Sequence, residues 1–232
     1  MSRPPVWAIV LVGAAILATA FLAVWQWQRA DGKRALLASY TSALAQEPRL
    51  LSAASTVGVE PVRAHVRGHY DASRQLLLDN QSHAGKPGYH VWTPLLAPEG
   101  TVVMVNRGWV PASPDRRVLP DLSVPARPLT ARGLWRALPQ PALRLEKTEN
   151  CPATLNFPAV VTYPDEIELR CLLGGRVLAG VLLLDADLPD GYVREWQTSF
   201  VGVPPSRHTA YAAQWAALSL TLLILFVRAY RK

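Results

Sequence analysis

Two uncharged apolar runs, residues 6–24 and 210–227, lie near the two ends of the chain. Each approaches the ~20 apolar residues that a helix needs to cross a bilayer. Apart from a few terminal basic residues, everything strongly polar lies between them. The expected layout is therefore an extramembrane module tethered at both ends, with both termini on one side of the membrane. The predicted segments are an N-terminal transmembrane helix over 1–28, an extracytoplasmic domain over 29–207, and a C-terminal transmembrane helix with a short tail over 208–232. The first run is longer than the ~7–15-residue apolar stretch of a cleaved signal peptide, so it reads as a retained anchor. No Arg- and Ser-rich stretch precedes it as in a mitochondrial presequence, and the expected location is a bacterial inner membrane. Trp7 with Trp25 and Trp27, and Tyr211 and Trp215 with Tyr230, bracket the two runs as aromatic belts.

Charge sets the orientation. Arg3 before the first run and Arg228, Arg231 and Lys232 after the second favour cytoplasmic termini. Arg29, Lys33 and Arg34 oppose this. Long loops translocate largely regardless of charge, so the terminal charges decide and the middle domain is expected in the periplasm.

The middle is the size of one ordinary domain. It holds most of the 20 prolines, which argues against long helices there. The first helix should run on through 30–44 and end before Pro48. From Pro61 the pattern becomes strand-like. Residues 62–68, 75–78, 90–95, 101–105, 129–134 and 177–184 read as strands, and Ala97-Pro98-Glu99-Gly100 reads as the turn of a hairpin. No further amphipathic stretch of helix length is expected before the second span. The predicted class is thus a membrane protein of α+β type: two transmembrane helices bracketing a β-rich, mainly antiparallel, barrel-like domain.

The formal net charge of +7 is scattered over the middle domain and forms no nucleic-acid stripe. Anionic lipid headgroups and an anionic ligand such as a haem propionate both suit it. The two cysteines, Cys151 and Cys171, are expected to form one disulfide in an oxidising compartment. No nucleophile, base and orienter set or nucleotide-binding fingerprint is present, so the chain does not read as an enzyme. His65 and His69 share a strand face and are candidate metal ligands with His83 or His90, or ordinary strand residues. His208 stands at the mouth of the second run. Offsets of three and seven put it on one helical face with Tyr211 and Trp215. It is either a ligand for a porphyrin iron or an interfacial histidine beside belt aromatics. Trp25 and Arg29 lie one turn apart at the end of the first run, Arg29 as a snorkelling or ligand-binding cation. Arg107 could grip a carboxylate with its planar fork, and Trp109 is either part of that site or plain core.

Four motifs then occur in order: Trp25-Gln26-x-x-Arg29; Gly85-Lys86-Pro87-Gly88-Tyr89-His90-Val91-Trp92-Thr93-Pro94-Leu95; Val105-Asn106-Arg107-Gly108-Trp109-Val110-Pro111; and His208-x-x-Tyr211-Ala212-x-x-Trp215. Together they resemble the Surfeit locus protein 1 family, over almost the whole chain. The resemblance implies an assembly factor for a haem-copper terminal oxidase of the respiratory chain, chiefly cytochrome c oxidase. It would deliver haem a to the large catalytic subunit, or stabilise that subunit as a scaffold without touching haem. The implied partners are that subunit, the enzymes of haem a biosynthesis and the lipid bilayer. By the same resemblance His208 looks like the family's haem-associated histidine; with the residues read above, the candidate haem site is His208 as iron ligand with Tyr211, Trp215, Arg29, Arg107 and Trp109.

Overall fold

The structure, a computed structural model, describes residues 5–141, 156–196 and 203–230. The chain divides into two compact units, Met1–Ala38 with Gln197–Lys232 and Ser39–Trp196.

The first unit is built on two helices. Helix α1, Val6–Leu44, starts directly after Pro5 and has no proline in its interior. At ~1.5 Å per residue it is ~58 Å long, about twice the hydrocarbon thickness of a bilayer. Its apolar part serves as the candidate span, and its polar continuation ends at Leu44, ahead of Pro48 as expected. From Ser39 the helix belongs to the second unit, where Tyr40 and Ala43 are buried. The other long helix, Pro205–Tyr230, is also long and apolar enough to cross a membrane. Only 6% of the most apolar window of either helix is buried by the described residues, whereas the core helix of a soluble fold is mostly buried.

The two helices of this unit run antiparallel and meet along a seam. On α1 the covered positions are Thr19, Leu22, Gln26, Ala30 and Lys33. On the other helix they are His208, Ala212, Trp215, Ser219, Leu222 and Phe226. Steps of three and four residues are the spacing of a left-handed helix pair. Small side chains, Ala30 and Ala212 among them, let the backbones approach. Ser219 Oγ donates to the Ile16 carbonyl at 3.2 Å, which places backbone and side chain of the two helices in direct contact.

The second unit is a mixed eight-strand sheet that closes on itself. Its strands are β1 (Arg49–Leu50), β2 (Val62–Tyr70), β3 (Leu76–His83), β4 (Lys86–Leu96), β5 (Thr101–Pro111), β6 (Leu129–Ala137), β7 (Ala159–Val161) and β8 (Arg176–Leu184). The order is β1-β2-β6-β8-β5-β4-β3-β7, and a further β2–β4 pairing closes a five-strand barrel. Strand β4 makes this work through its length. Its start pairs with β3 and its end with β2, through His69–Leu96 and Tyr70–Leu95, while β5 occupies its other edge. Antiparallel pairs dominate; β1–β2, β3–β7 and β5–β8 are parallel. Each of the six expected strands is present, most of them longer than the sequence pattern alone indicated.

Side chains of alternating positions fill the barrel: Ala64, Val66, Leu95, Val103, Val105, Ala131, Trp135, Leu178 and Leu182. Gly133 is needed where β6 passes β8, because a Cβ there would lie 1.8 Å from the Leu183 carbonyl oxygen. A second apolar cluster of Leu77, Tyr89, Val91, Val110 and Leu122 packs where β3 extends the sheet. The end of β8 is tied by Asp185, which accepts both forks of Arg63 at 2.5 and 2.6 Å and Nε of Arg132 at 2.7 Å.

The sequence reading is corrected at one point. A further helix, α2, spans Glu166–Leu173. Asp165 caps it by accepting from the Glu168 amide at 2.9 Å, and Gly174 ends it with a positive φ of 64°. Leu169, Leu172 and Leu173 are its buried face. Eight residues are too few to show a helical period, so only the Asp165–Glu168 capping pattern announces it. We label the C-terminal helix, Pro205–Tyr230, α3.

Candidate functional site

The polar residues of the helical unit gather where the apolar runs end. Gln26 follows Trp25 at the close of the first run, and its seam position turns it toward α3. His208 lies in the first turn of α3 on that helix's seam row. The Gln26 Oε1 and His208 Nδ1 atoms are 2.7 Å apart. His208 Nε2 is buried and has no hydrogen-bond partner among the described residues. Around this pair, Arg34 donates to Thr209 Oγ1 at 2.7 Å, and Lys33 Nζ donates to the Val203 carbonyl at 2.6 Å. Asp31 and the Trp27 ring hold the Arg34 guanidinium from its other sides.

A cleft of about 340 Å³ lies along α1, lined by Trp25, Gln28, Arg29, Gly32 and Lys33. Offsets of three, four, seven and eight from Trp25 place all five on one face. Arg29 is exposed and has no hydrogen-bond or ion-pair partner among the described residues. Arg29 and Lys33 both lie within electrostatic reach of His208. Trp215 is half-buried on the seam, and Tyr211 is 48% exposed on the outer side of α3. The helical unit therefore brings together His208, Trp215, Gln26 and the cations of α1, with Tyr211 turned outward.

Arg107 and Trp109 belong to the second unit, and both have internal partners there. Arg107 is 2% exposed. Its Nε and one terminal nitrogen donate to the Asp190 carbonyl at 2.8 and 2.5 Å, and the same terminal nitrogen reaches the Ser123 carbonyl at 3.0 Å. The other terminal nitrogen points at Gln75 Oε1, 3.4 Å away, which also accepts from Thr93 at 2.8 Å. Tyr70 and Tyr192 stack over the guanidinium at 5.3 and 5.0 Å. Burial beside this group pushes the Tyr70 hydroxyl up to about 12. The planar fork of Arg107 thus grips backbone carbonyls of its own domain. Trp109 is core: it donates to the Gln81 carbonyl at 3.3 Å and packs on His83 at 5.1 Å. Gly108 between them takes φ of +117°, and a Cβ there would lie 2.7 Å from the Val193 carbonyl oxygen.

The remaining histidines do not converge. His90 meets the edge of the Trp196 ring at 5.7 Å, and burial holds its imidazole down to about 4, so it is neutral. Among the described residues no three His, Cys, Asp or Glu side chains, His65 and His69 included, come together as a metal site. The expected disulfide involves Cys151, which lies outside the described residues.

Gln26 is the site residue that the sequence reading quoted in the Trp25-Gln26-x-x-Arg29 motif but gave no role. It is a neutral polar side chain in a helix of apolar ones, and only its phase on the seam gives it away.

Two comparisons bear on identity. The cytochrome oxidase assembly protein SHY1 of Saccharomyces cerevisiae is 28% identical over 113 residues, a stretch covering 45% of this chain. The matched stretch spans 29% of that protein's own length. The model of the SURF1 family matches residues 13–220, from within the first apolar run to within the second, and the chain belongs to that family.

Proposed function

We propose that this protein is a membrane-bound assembly factor for a haem-copper oxidase, and that it holds haem a as cargo through His208 before the haem enters the large catalytic subunit. The assembly role is drawn from family membership and from the yeast relative's name. The haem role rests on one observation: the buried, unpartnered Nε2 of His208. Buried polar atoms are nearly always paired, and an unpaired one calls for a reason. A neutral imidazole nitrogen kept from water carries a lone pair that an iron can accept, with no hydration to strip away. The side chains that cover Nε2 must part for iron to reach it.

The surroundings suit a porphyrin. Trp215 and Tyr211 offer apolar surface at the level where belt aromatics sit. Arg29, without a hydrogen-bond or ion-pair partner among the described residues, offers a charge for a propionate. Arg107 and Trp109 serve the domain's core in this reading. The long apolar tail of haem a favours handover at the bilayer over handover in water. The proposed location is an inner membrane with cytoplasmic termini and a periplasmic domain, the partners are the oxidase's large subunit and the haem a biosynthesis enzymes, and no catalytic step is assigned.

The test is the optical spectrum of full-length protein purified from cells that make haem a. Wild type should show a Soret band. His208→Ala should lose or shift it and lower oxidase haem content, while still inserting into the membrane. An Ala variant with unchanged spectrum and haem affinity overturns the haem reading and leaves a scaffold that stabilises the oxidase subunit without contacting haem.

A further inference from the structure

We propose that Gln26 is the positioning residue of the site: it fixes His208 in the tautomer protonated on Nδ1 and so makes Nε2 the ligand nitrogen. The role of Nε2 as a ligand rests on the haem reading above; the tautomer itself does not.

A neutral imidazole carries one proton on two nitrogens, and the partner of either nitrogen decides where it sits. At His208 only one nitrogen has a partner among the described residues. Nδ1 faces the Gln26 amide oxygen at 2.7 Å. An amide oxygen only accepts, so Nδ1 must donate. The proton is thereby committed to Nδ1, and Nε2 is left with its lone pair and no protein donor. The opposite tautomer would need the Gln26 amide turned over, so that its NH2 donates to Nδ1, and would bury an unused N–H at Nε2, which is unfavourable in a site screened from water.

The pair is also held in register. On one side Ser219 bonds the Ile16 carbonyl. On the other, Arg34 bonds Thr209, whose hydroxyl in turn donates to Pro205 at 3.0 Å, and Lys33 bonds the Val203 carbonyl. Contacts on both flanks keep the two helices from sliding and hold the amide opposite the ring. The amide is neutral, so it orients the imidazole without adding a charge to the site. Partners of this kind orient a histidine and tune it, and losing one typically costs ~10–100-fold in metal affinity.

The experiment uses the full chain in lipid nanodiscs with ¹⁵N-labelled histidine rings. Haem-free protein is read by NMR, with the His208 signals assigned by their loss in His208→Ala. Haemin titration follows on the same samples. Wild type should show a protonated Nδ1 and a bare Nε2. Gln26→Leu keeps the length but removes the acceptor; it should admit the Nε2–H tautomer and weaken haemin binding ~10–100-fold. Gln26→Glu restores an acceptor and should restore both the bare Nε2 and near-wild-type affinity, which guards against a general packing defect. A Gln26→Leu protein with wild-type tautomer and affinity, while His208→Ala loses haemin, overturns the inference and leaves the haem reading standing. Unchanged haemin binding by His208→Ala overturns the haem reading and the ligand role of Nε2 with it, and the ring spectra then still decide whether Gln26 sets the tautomer.

Discussion

Replacing Arg107 by Met separates a structural guanidinium from one kept for a ligand. Met retains most of the apolar stem and removes every donor. The Asp190 and Ser123 carbonyls lose their partner, whereas Gln75 Oε1 keeps Thr93. Two orphaned carbonyls cost ~2–6 kcal/mol at ~1–3 each. The two ring contacts, at 5.3 and 5.0 Å, add ~1–2 kcal/mol apiece for a desolvated cation. Against this, the variant no longer buries a charged group, a relief of several kcal/mol. The balance is a loss of ~3 kcal/mol, or roughly 6–12 °C in melting temperature for a domain of this size. Full-length protein in nanodiscs, melted with tryptophan fluorescence as the signal, reads this directly. Haemin affinity measured below the transition should change little. A variant that melts at or above the wild-type temperature and loses haemin refutes the structural assignment, because it means the charge was held at a cost to stability for an anionic ligand.

Two further outcomes follow from the same structure. His90, held down to about 4 from 6.5 by burial, binds a proton in the unfolded chain that the folded chain refuses between those values. Its contribution is complete above pH 6.5 and is lost as pH falls toward 4, by ~3 kcal/mol at ~1.4 per unit; denaturant midpoints across that window should rise with pH, and His90→Phe should flatten the slope, an unchanged slope being the contrary result. Cysteines introduced at exposed Val59 or Val118 should react with an impermeant reagent from the periplasmic side; reaction only after the inner membrane is opened would reverse the proposed topology.

The two candidate spans and the central strands were legible because each is a local pattern. An apolar run or an alternation needs no knowledge of what lies opposite. Barrel closure was not legible at that level. It depends on the last residues of β2 finding the last residues of β4, and on β8 running parallel beside β5. No periodicity encodes a partner strand. The short helix α2 escaped because eight residues carry too little pattern. The internal partners of Arg107 were not legible for a different reason: arginine is usually found facing water. Here two tyrosines from separate segments and carbonyls from separate loops replace the water, and none of these neighbours is near it in sequence.

The helical site shows the same limit more sharply. His208 stood out because it is a titratable group at the mouth of an apolar run. Gln26 did not, because a lone neutral amide beside a belt tryptophan looks like part of the interface. The two lie 182 positions apart, and only the antiparallel seam makes them neighbours. Seam spacing is itself hidden in sequence, since lipid-facing and helix-facing positions are both apolar and only residue size distinguishes them. Once the amide meets Nδ1, the chemistry of the other nitrogen follows from proton counting alone. A sequence can nominate the imidazole, but which of its nitrogens is left bare is decided by the packing of the helices.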